Sequence, residues 1–446
     1  MMEVKQSQTA KFLKDKIVEI LHSYGIEVNQ VFSATTDNGA NMVAAIKEMQ
    51  KLAATSVAPL ESLMDEEGAE ELECGMIDGI TSEFGSALNL IRCSVHTLQL
   101  AITDVITKND PKIRKITDIV KDTRKTKYSI LFDHNKASKA PLWSFTRWGG
   151  RYKMIKSILK QESFYILLGQ EYPEVAFPDD DWTYMKNYLS AFKPVYKLTK
   201  NLQNKHVPLS EFYIQWLQAT LMVESETDNP LSIALAQALQ NRLKKLLENM
   251  AFKAAVYLDP RFNFPGSTVF GAAAEKKNFQ NFIINTWNRI QSLSPCTSAT
   301  TAAVKSKADT VDVMDDYITK LFGGPQCSVS ESEPHVTSFR KQLRQLEVEP
   351  RQPHIYDVWK HWMARKHTHP ELYAVATVVH SVPSTQVSVE RSFSALALVL
   401  SNIRAGLSDD TLEDILIIKL NMDILQKVLP TLHDWKTFIA ESSSFS

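Results

Sequence analysis

The chain has 446 residues, with 50 Lys+Arg against 51 Asp+Glu, and a formal net charge of −1. That balance excludes nucleic-acid binding through bulk charge, though not through a local basic face. Four scattered cysteines (Cys74, Cys93, Cys296, Cys327) exclude a disulfide framework and a paired CxxC zinc site, which fits a reducing intracellular compartment, and the length suits two or three domains.

Residues 9–24 carry Ala10, Phe12, Leu13, Ile17, Ile20 and Leu21 near helical spacing, with Gly25 as the stop. A β-rich run from Val28 to Thr36 follows and ends at Asp37-Asn38-Gly39, after which Met42 to Leu52 is helical again. Residues 59–85 are crowded with acids and poor in apolar residues, as expected of a solvated acidic loop. Leu88 to Cys93 has the pattern of a short buried strand running into a helix at Leu98 to Ile106, and a basic helical stretch spans Lys112 to Lys127. Strand–carboxylate–helix followed by strand–helix is α/β logic.

The pattern from 150 to 290 is mostly helical. Trp182, Met185, Leu189, Phe192 and Tyr196 line one face, which reads as core packing. Asn229-Pro230 opens another helix with a cap and a first-turn proline. Residues 294–353 lack sustained periodicity and are expected to be linker or partly disordered. Residues 381–422 hold two strongly apolar helices, with Ser408 as the cap of the second. The polar N-terminus is no secretory signal, and no run of about 18 apolar residues predicts a membrane span. There are only 14 glycines and no GxxxxGK[ST] or GxGxxG, which argues against a glycine-rich nucleotide-binding core.

Four constellations could carry chemistry. Asp37 stands at a strand's C-terminal end, where α/β folds place ligands, although Asp is also a favoured helix cap. Glu390 interrupts an apolar helical run, and such a residue calls for an ion pair or a bound cation. Cys93 and His96 form a CxxH pair, half of a zinc site without a second half, so a structural pair at a strand–helix junction is favoured. Arg147, Trp148 and Arg151 combine an aromatic with cations, which suits base stacking and phosphate contact and equally suits a core anchor.

The ordered motifs TTDNGANM (35–42), RCSVHTLQL (92–100), TRWGGRYKMI (146–155), YLDPRFN (257–263) and VPSTQVSVERSFSALALVLSNIRAGLSDDTLEDILIIKLN (382–421) resemble the hAT superfamily of DNA transposases and their domesticated descendants. The resemblance implies an RNase H-like fold interrupted by an all-α insertion. It divides the chain into a core part at 1–145, an insertion at 146–293, the linker, and a C-terminal core and dimerisation part at 354–446. It implies that Asp37 and Glu390 match two members of a catalytic Asp-Asp-Glu triad that holds Mg²⁺ or Mn²⁺. Trp148 matches a base-stacking tryptophan, and Cys93 and His96 match a motif packed beside the active site.

Only residues 1–36 precede Asp37, and Asp15 sits in an amphipathic helix pattern. The expectation is therefore an incomplete sheet core without the first triad Asp and without an N-terminal zinc finger. The expected protein is helix-rich α/β plus all-α, a nuclear homodimer with residual DNA-binding potential and no transposition activity, membrane association or small-molecule substrate. Val387, Phe393, Leu396, Leu398, Leu400, Leu412, Ile415, Leu416 and Leu420 are expected to form the core or dimer contacts of its C-terminal region. Two alternatives stay open: an active transposase read from an incomplete chain, and a DNA-free interaction scaffold.

Overall fold

A computed structural model describes residues 9–37, 39–55, 88–106, 110–143, 148–203, 207–265, 267, 269–270, 273–293, 334–399, 408–422 and 424–425. The elements in chain order are α1 (Ala10–Ser23), β1 (Ser33–Thr36), α2 (Ala40–Thr55), β2 (Asn89–Arg92), α3 (Ser94–Val105), α4 (Pro111–Asp122) and α5 (Thr126–His134). They continue with α6 (Gly149–Lys160), α7 (Glu162–Glu171), α8 (Asp179–Leu202), α9 (Leu209–Glu224), α10 (Pro230–Leu247), α11 (Met250–Tyr257) and α12 (Ala273–Leu293). The last are α13 (Pro334–Glu347), α14 (Val358–Arg365), α15 (Pro370–His380), α16 (Val387–Val399) and α17 (Asp409–Leu420). Among the described residues the protein is helix-rich, and its one sheet is the parallel pair β1–β2.

Local chemistry sets the boundaries. The Thr9 hydroxyl accepts from the Phe12 N–H at the start of α1, and Gly25, with φ at +69°, ends it. Asp110 accepts from the N–H groups of Lys112 and Ile113, with Pro111 opening α4. The Asn229 side chain accepts from the Leu231 N–H, and Ser408 from the Thr411 N–H, as the sequence leads one to expect. Two expectations change. Val28–Gln30 is a single 3-10 turn held by reciprocal Glu27–Gln30 bonds, so the strand begins only at Ser33. Within the expected linker, 334–347 is a helix, because Phe339, Leu343 and Leu346 recur at four and three and are buried. The acidic stretch 59–85 lies outside the described residues.

The chain divides into two compact units, one of residues 1–58, 90–245 and 383–446, the other of 59–89 and 246–382. In the first, α8 runs through the interior, packed on α3, α4, α6 and α9. It buries Trp182, Met185, Tyr188, Phe192, Val195 and Leu198; Trp182, Met185 and Phe192 belong to the stripe read from the sequence, whose Leu189 and Tyr196 are half-buried at its edge. In the second, α15 packs on α11, α12, α13 and α14. There the fully buried Asp259 takes the Arg261 guanidinium, Nε to Oδ1 at 3.0 Å and Nη2 to Oδ2 at 2.7 Å. Arg261 also donates to the His354 carbonyl at 3.2 Å, and the Gln352 N–H to the Pro260 carbonyl at 3.0 Å. The YLDPRFN motif is thus a charged latch between the loops that follow α11 and α13, where a buried pair is tolerated because its hydrogen bonds are made.

Candidate functional site

Asp37 directly follows β1 and Cys93 directly follows β2. Because the strands are parallel, both residues leave the sheet at the same end. The Cys93 N–H donates to the Thr36 carbonyl at 2.8 Å, extending the ladder by one rung. Cys93 is buried at the start of α3, and His96 on the next turn is half-buried. The Asp37 side chain is exposed, and its Oδ1 accepts from the Gly39 N–H at 2.9 Å. A Cβ at Gly39 would stand 2.9 Å from that oxygen, so a larger residue there would displace the carboxylate from this contact.

The segment before α16 is sewn to the same end. The Thr35 hydroxyl donates to the Pro383 carbonyl at 2.6 Å, the Ser94 N–H to the Ser384 carbonyl at 2.8 Å, and the Gln386 amide to the Thr35 carbonyl at 2.9 Å. The Ser384 hydroxyl donates to the Val207 carbonyl at 2.6 Å. Glu390 lies one turn beyond Gln386, exposed in the first turn of α16, where the helix dipole favours a carboxylate. The neighbouring Arg391 donates to the Gln203 carbonyl just after α8. The structure therefore brings Asp37, Cys93, His96 and the Glu390 turn to one end of the sheet. Gln386, Thr35 and Ser384, which hold this arrangement, are absent from the sequence-based candidates; their only sequence signal is polarity at the head of an apolar block.

Two exposed carboxylates, one already engaged by a backbone N–H, are a sparse donor set. Among the described residues no three His, Cys, Asp or Glu side chains gather into a metal-binding group. These residues alone do not fit the two-cation centre that the resemblance implies.

Of the candidate DNA residues, Trp148 and Arg151 take the core-anchor alternative that the sequence leaves open. Trp148 is 6% exposed, with its ring against Phe192 and edge-on to Tyr196. Tyr152 stacks on Tyr196 at 4.2 Å, and burial, together with Tyr196, pushes the Tyr152 pKa up. Arg151 is 5% exposed, its guanidinium 4.2 Å above the Trp143 ring. The aromatics Trp148 and Tyr152 thus pack against α8, while the Arg151 guanidinium covers Trp143 in the segment before α6. Arg147 lies outside the described residues.

At the C-terminus, Ala395 and Val399 of α16 and Leu412 and Leu416 of α17 form a small buried cluster, with Leu396 and Ile415 partly buried against it. Val387 is buried in the first turn of α16. Phe393, at 61% exposure, Leu420, at 41%, and also Val389, Ile417, Ile418 and Ile424 face solvent. The Leu398 side chain and all of Leu400 lie outside the described residues.

A helical hairpin that closes on four buried aliphatic side chains and leaves six large apolar ones exposed among the described residues has the make-up of an association module. The comparison with known families agrees: residues 338–422 match the hAT family C-terminal dimerisation region. The match begins in α13, upstream of where the sequence places the C-terminal region. The chain is also 22% identical over 284 residues to the zinc finger BED domain-containing protein DAYSLEEPER of Arabidopsis thaliana, covering 60% of this chain. The match spans 39% of that relative's length. No helix among the described residues is long and apolar enough to cross a membrane.

Proposed function

We propose that this chain is a hAT-transposase-derived nuclear protein with an RNase H-like core, which works as a homodimer and binds DNA without cleaving it. The exposed apolar row on the C-terminal hairpin, inside the matched dimerisation region, is the observation that carries this reading. Side chains advance by about 100° per residue around a helix. In an antiparallel pair, the residues one position after the contact seam on each helix consequently fall on the same side. The seam is 395 and 399 on α16 and 412 and 416 on α17. Ile417 follows Leu416 directly, and Val389, Phe393 and Ile424, further along their helices, fall on that same side; with Leu420 at the end of the seam they make an apolar side, interrupted by Glu413, that is offered to a second copy.

A parallel strand pair with a carboxylate at the end of β1 supports the RNase H-like reading, and the resemblance to a transposase supports DNA as the partner. The nuclear location follows from that partner. The sparse donor set at Asp37 and Glu390 supports the absence of cleavage by this chain acting alone.

The test incubates the purified chain with a labelled DNA duplex and Mg²⁺ or Mn²⁺. Retarded migration with no nicking or hairpin formation is the expected result. Cleavage that disappears in Asp37→Asn and Glu390→Gln would overturn the non-catalytic reading in favour of an active transposase. No retardation at low salt would overturn the DNA role and leave a scaffold.

A further inference from the structure

The net charge of −1 conceals an ordered basic surface on α6 and α8. Trp148 and Tyr152, at the start of α6, meet Phe192 and Tyr196, late in α8. Glu162, just after α6, pairs with Lys186, early in α8, at 2.8 Å. The two helices therefore run antiparallel; continued at helical spacing from these contacts, the seam passes through 148, 152, 155 and 159 on α6 and through 185, 189, 192, 196 and 199 on α8.

One position after these seam residues stands a lysine, except for Gly149 after Trp148 and Ser190 after Leu189. On α6 the lysines are Lys153, Lys156 and Lys160, and on α8 Lys193, Lys197 and Lys200, all exposed. By the rotation of about 100° per residue in opposed helices, both rows project to the same side of the pair. Lys186 continues the α8 row but is neutralised by Glu162. The other six make no ion pair with any described residue. Lys200 lies 5.1 Å from the Tyr196 ring, and three residues on, the Gln203 carbonyl receives Arg391 of α16. The basic side thus runs up to the helix that carries Glu390.

We propose that these two lysine rows form the surface on which the protein receives the phosphate backbone of duplex DNA. The inference rests on the DNA reading above and gives it a place other than Trp148 and Arg151. Successive lysines in a row stand about 5 Å apart along the axis, and their flexible stems let the ammonium groups follow a line of phosphates. Lysines without acidic neighbours act as phosphate contacts that position the duplex without reading its sequence. No large apolar side chain is exposed on α6 or α8. A helix pair docking on an anionic membrane would carry such an apolar face.

The experiment measures binding of the full chain to a labelled mixed-sequence duplex by fluorescence anisotropy across a salt series. With all six lysines engaged, log Kobs falls against log salt with a slope near −5, taking about −0.9 per phosphate contact. Lys153→Gln/Lys156→Gln/Lys160→Gln and Lys193→Gln/Lys197→Gln/Lys200→Gln each weaken binding about ten-fold or more and shrink the slope by about 3. Lys121→Gln/Lys125→Gln removes lysines already paired with Asp118 and Asp122 and leaves both quantities unchanged. Salt-sensitive binding by the wild-type chain that both row variants retain would overturn the lysine surface and leave the DNA reading standing. No duplex binding by the wild-type chain at about 50 mM salt would overturn both, since phosphate contacts are strongest there. Row-dependent binding to phosphatidylserine vesicles with no duplex binding would overturn the choice of partner.

Discussion

The helix pair α6–α8 and the hairpin α16–α17 share one construction and differ in what they leave outside it. Each has a packed seam: aromatic in the first, with Trp148, Tyr152 and Phe192 buried against the half-buried Tyr196, and aliphatic in the second, with Ala395, Val399, Leu412 and Leu416. Each exposes the row next to its seam. In the first pair that row is lysine, and in the second it carries Val389, Phe393, Ile417 and Ile424, with Leu420 at the end of the seam. The seam decides stability, and the neighbouring row decides the class of partner. A lysine row costs nothing in water and gains only from a polyanion, whereas an apolar row loses by staying in water and gains from a matching surface.

That contrast can be broken at the seams. The largest effect is expected from Trp148→Ala, which empties the centre of the aromatic seam and lowers stability to urea by about 3–5 kcal/mol. Its effect on DNA affinity disappears once the measurement is restricted to folded protein. A loss below about 1 kcal/mol, with DNA affinity reduced, would mean that Trp148 is free to stack on a base, as the family resemblance implies. Leu416→Ala is smaller, about 2–3 kcal/mol, because a cluster of this size relaxes around the gap. It is read best by faster amide exchange in α16 and α17, with the α6–α8 seam protected as before. Equal loosening of both pairs would show that the hairpin is not the separate module described here.

Much of this plan was legible in local pattern. The caps at Asn229 and Ser408, the α8 stripe and the strand ending at Asp37 follow from residue type and spacing alone. The joining of the sheet end to the segment before α16 was not, because the Gln386–Thr35 bond spans 351 positions and leaves no local trace. Trp148 and Arg151 stayed ambiguous because an aromatic beside a cation is the same composition whether it faces a nucleobase or packs, as Arg151 does on Trp143. Helix α13 was hidden because three buried apolar residues stand among charged and amide side chains. The lysine rows were visible as spacings on each helix; their shared side required knowing that α6 and α8 are antiparallel.

The central claim, that the apolar row on the hairpin meets a second copy, is tested most directly by sedimentation velocity. The wild-type chain and Phe393→Glu/Ile417→Glu are compared across a micromolar concentration series, with circular dichroism confirming an unchanged helix content. Both side chains are exposed, so the substitutions leave the buried cluster intact. The account predicts a wild-type dimer and a variant that dissociates with a Kd raised about 100-fold or more, as expected when charge enters the apolar centre of an interface. A wild-type chain that stays monomeric throughout, or a variant that dimerises as tightly as the wild type, would contradict it.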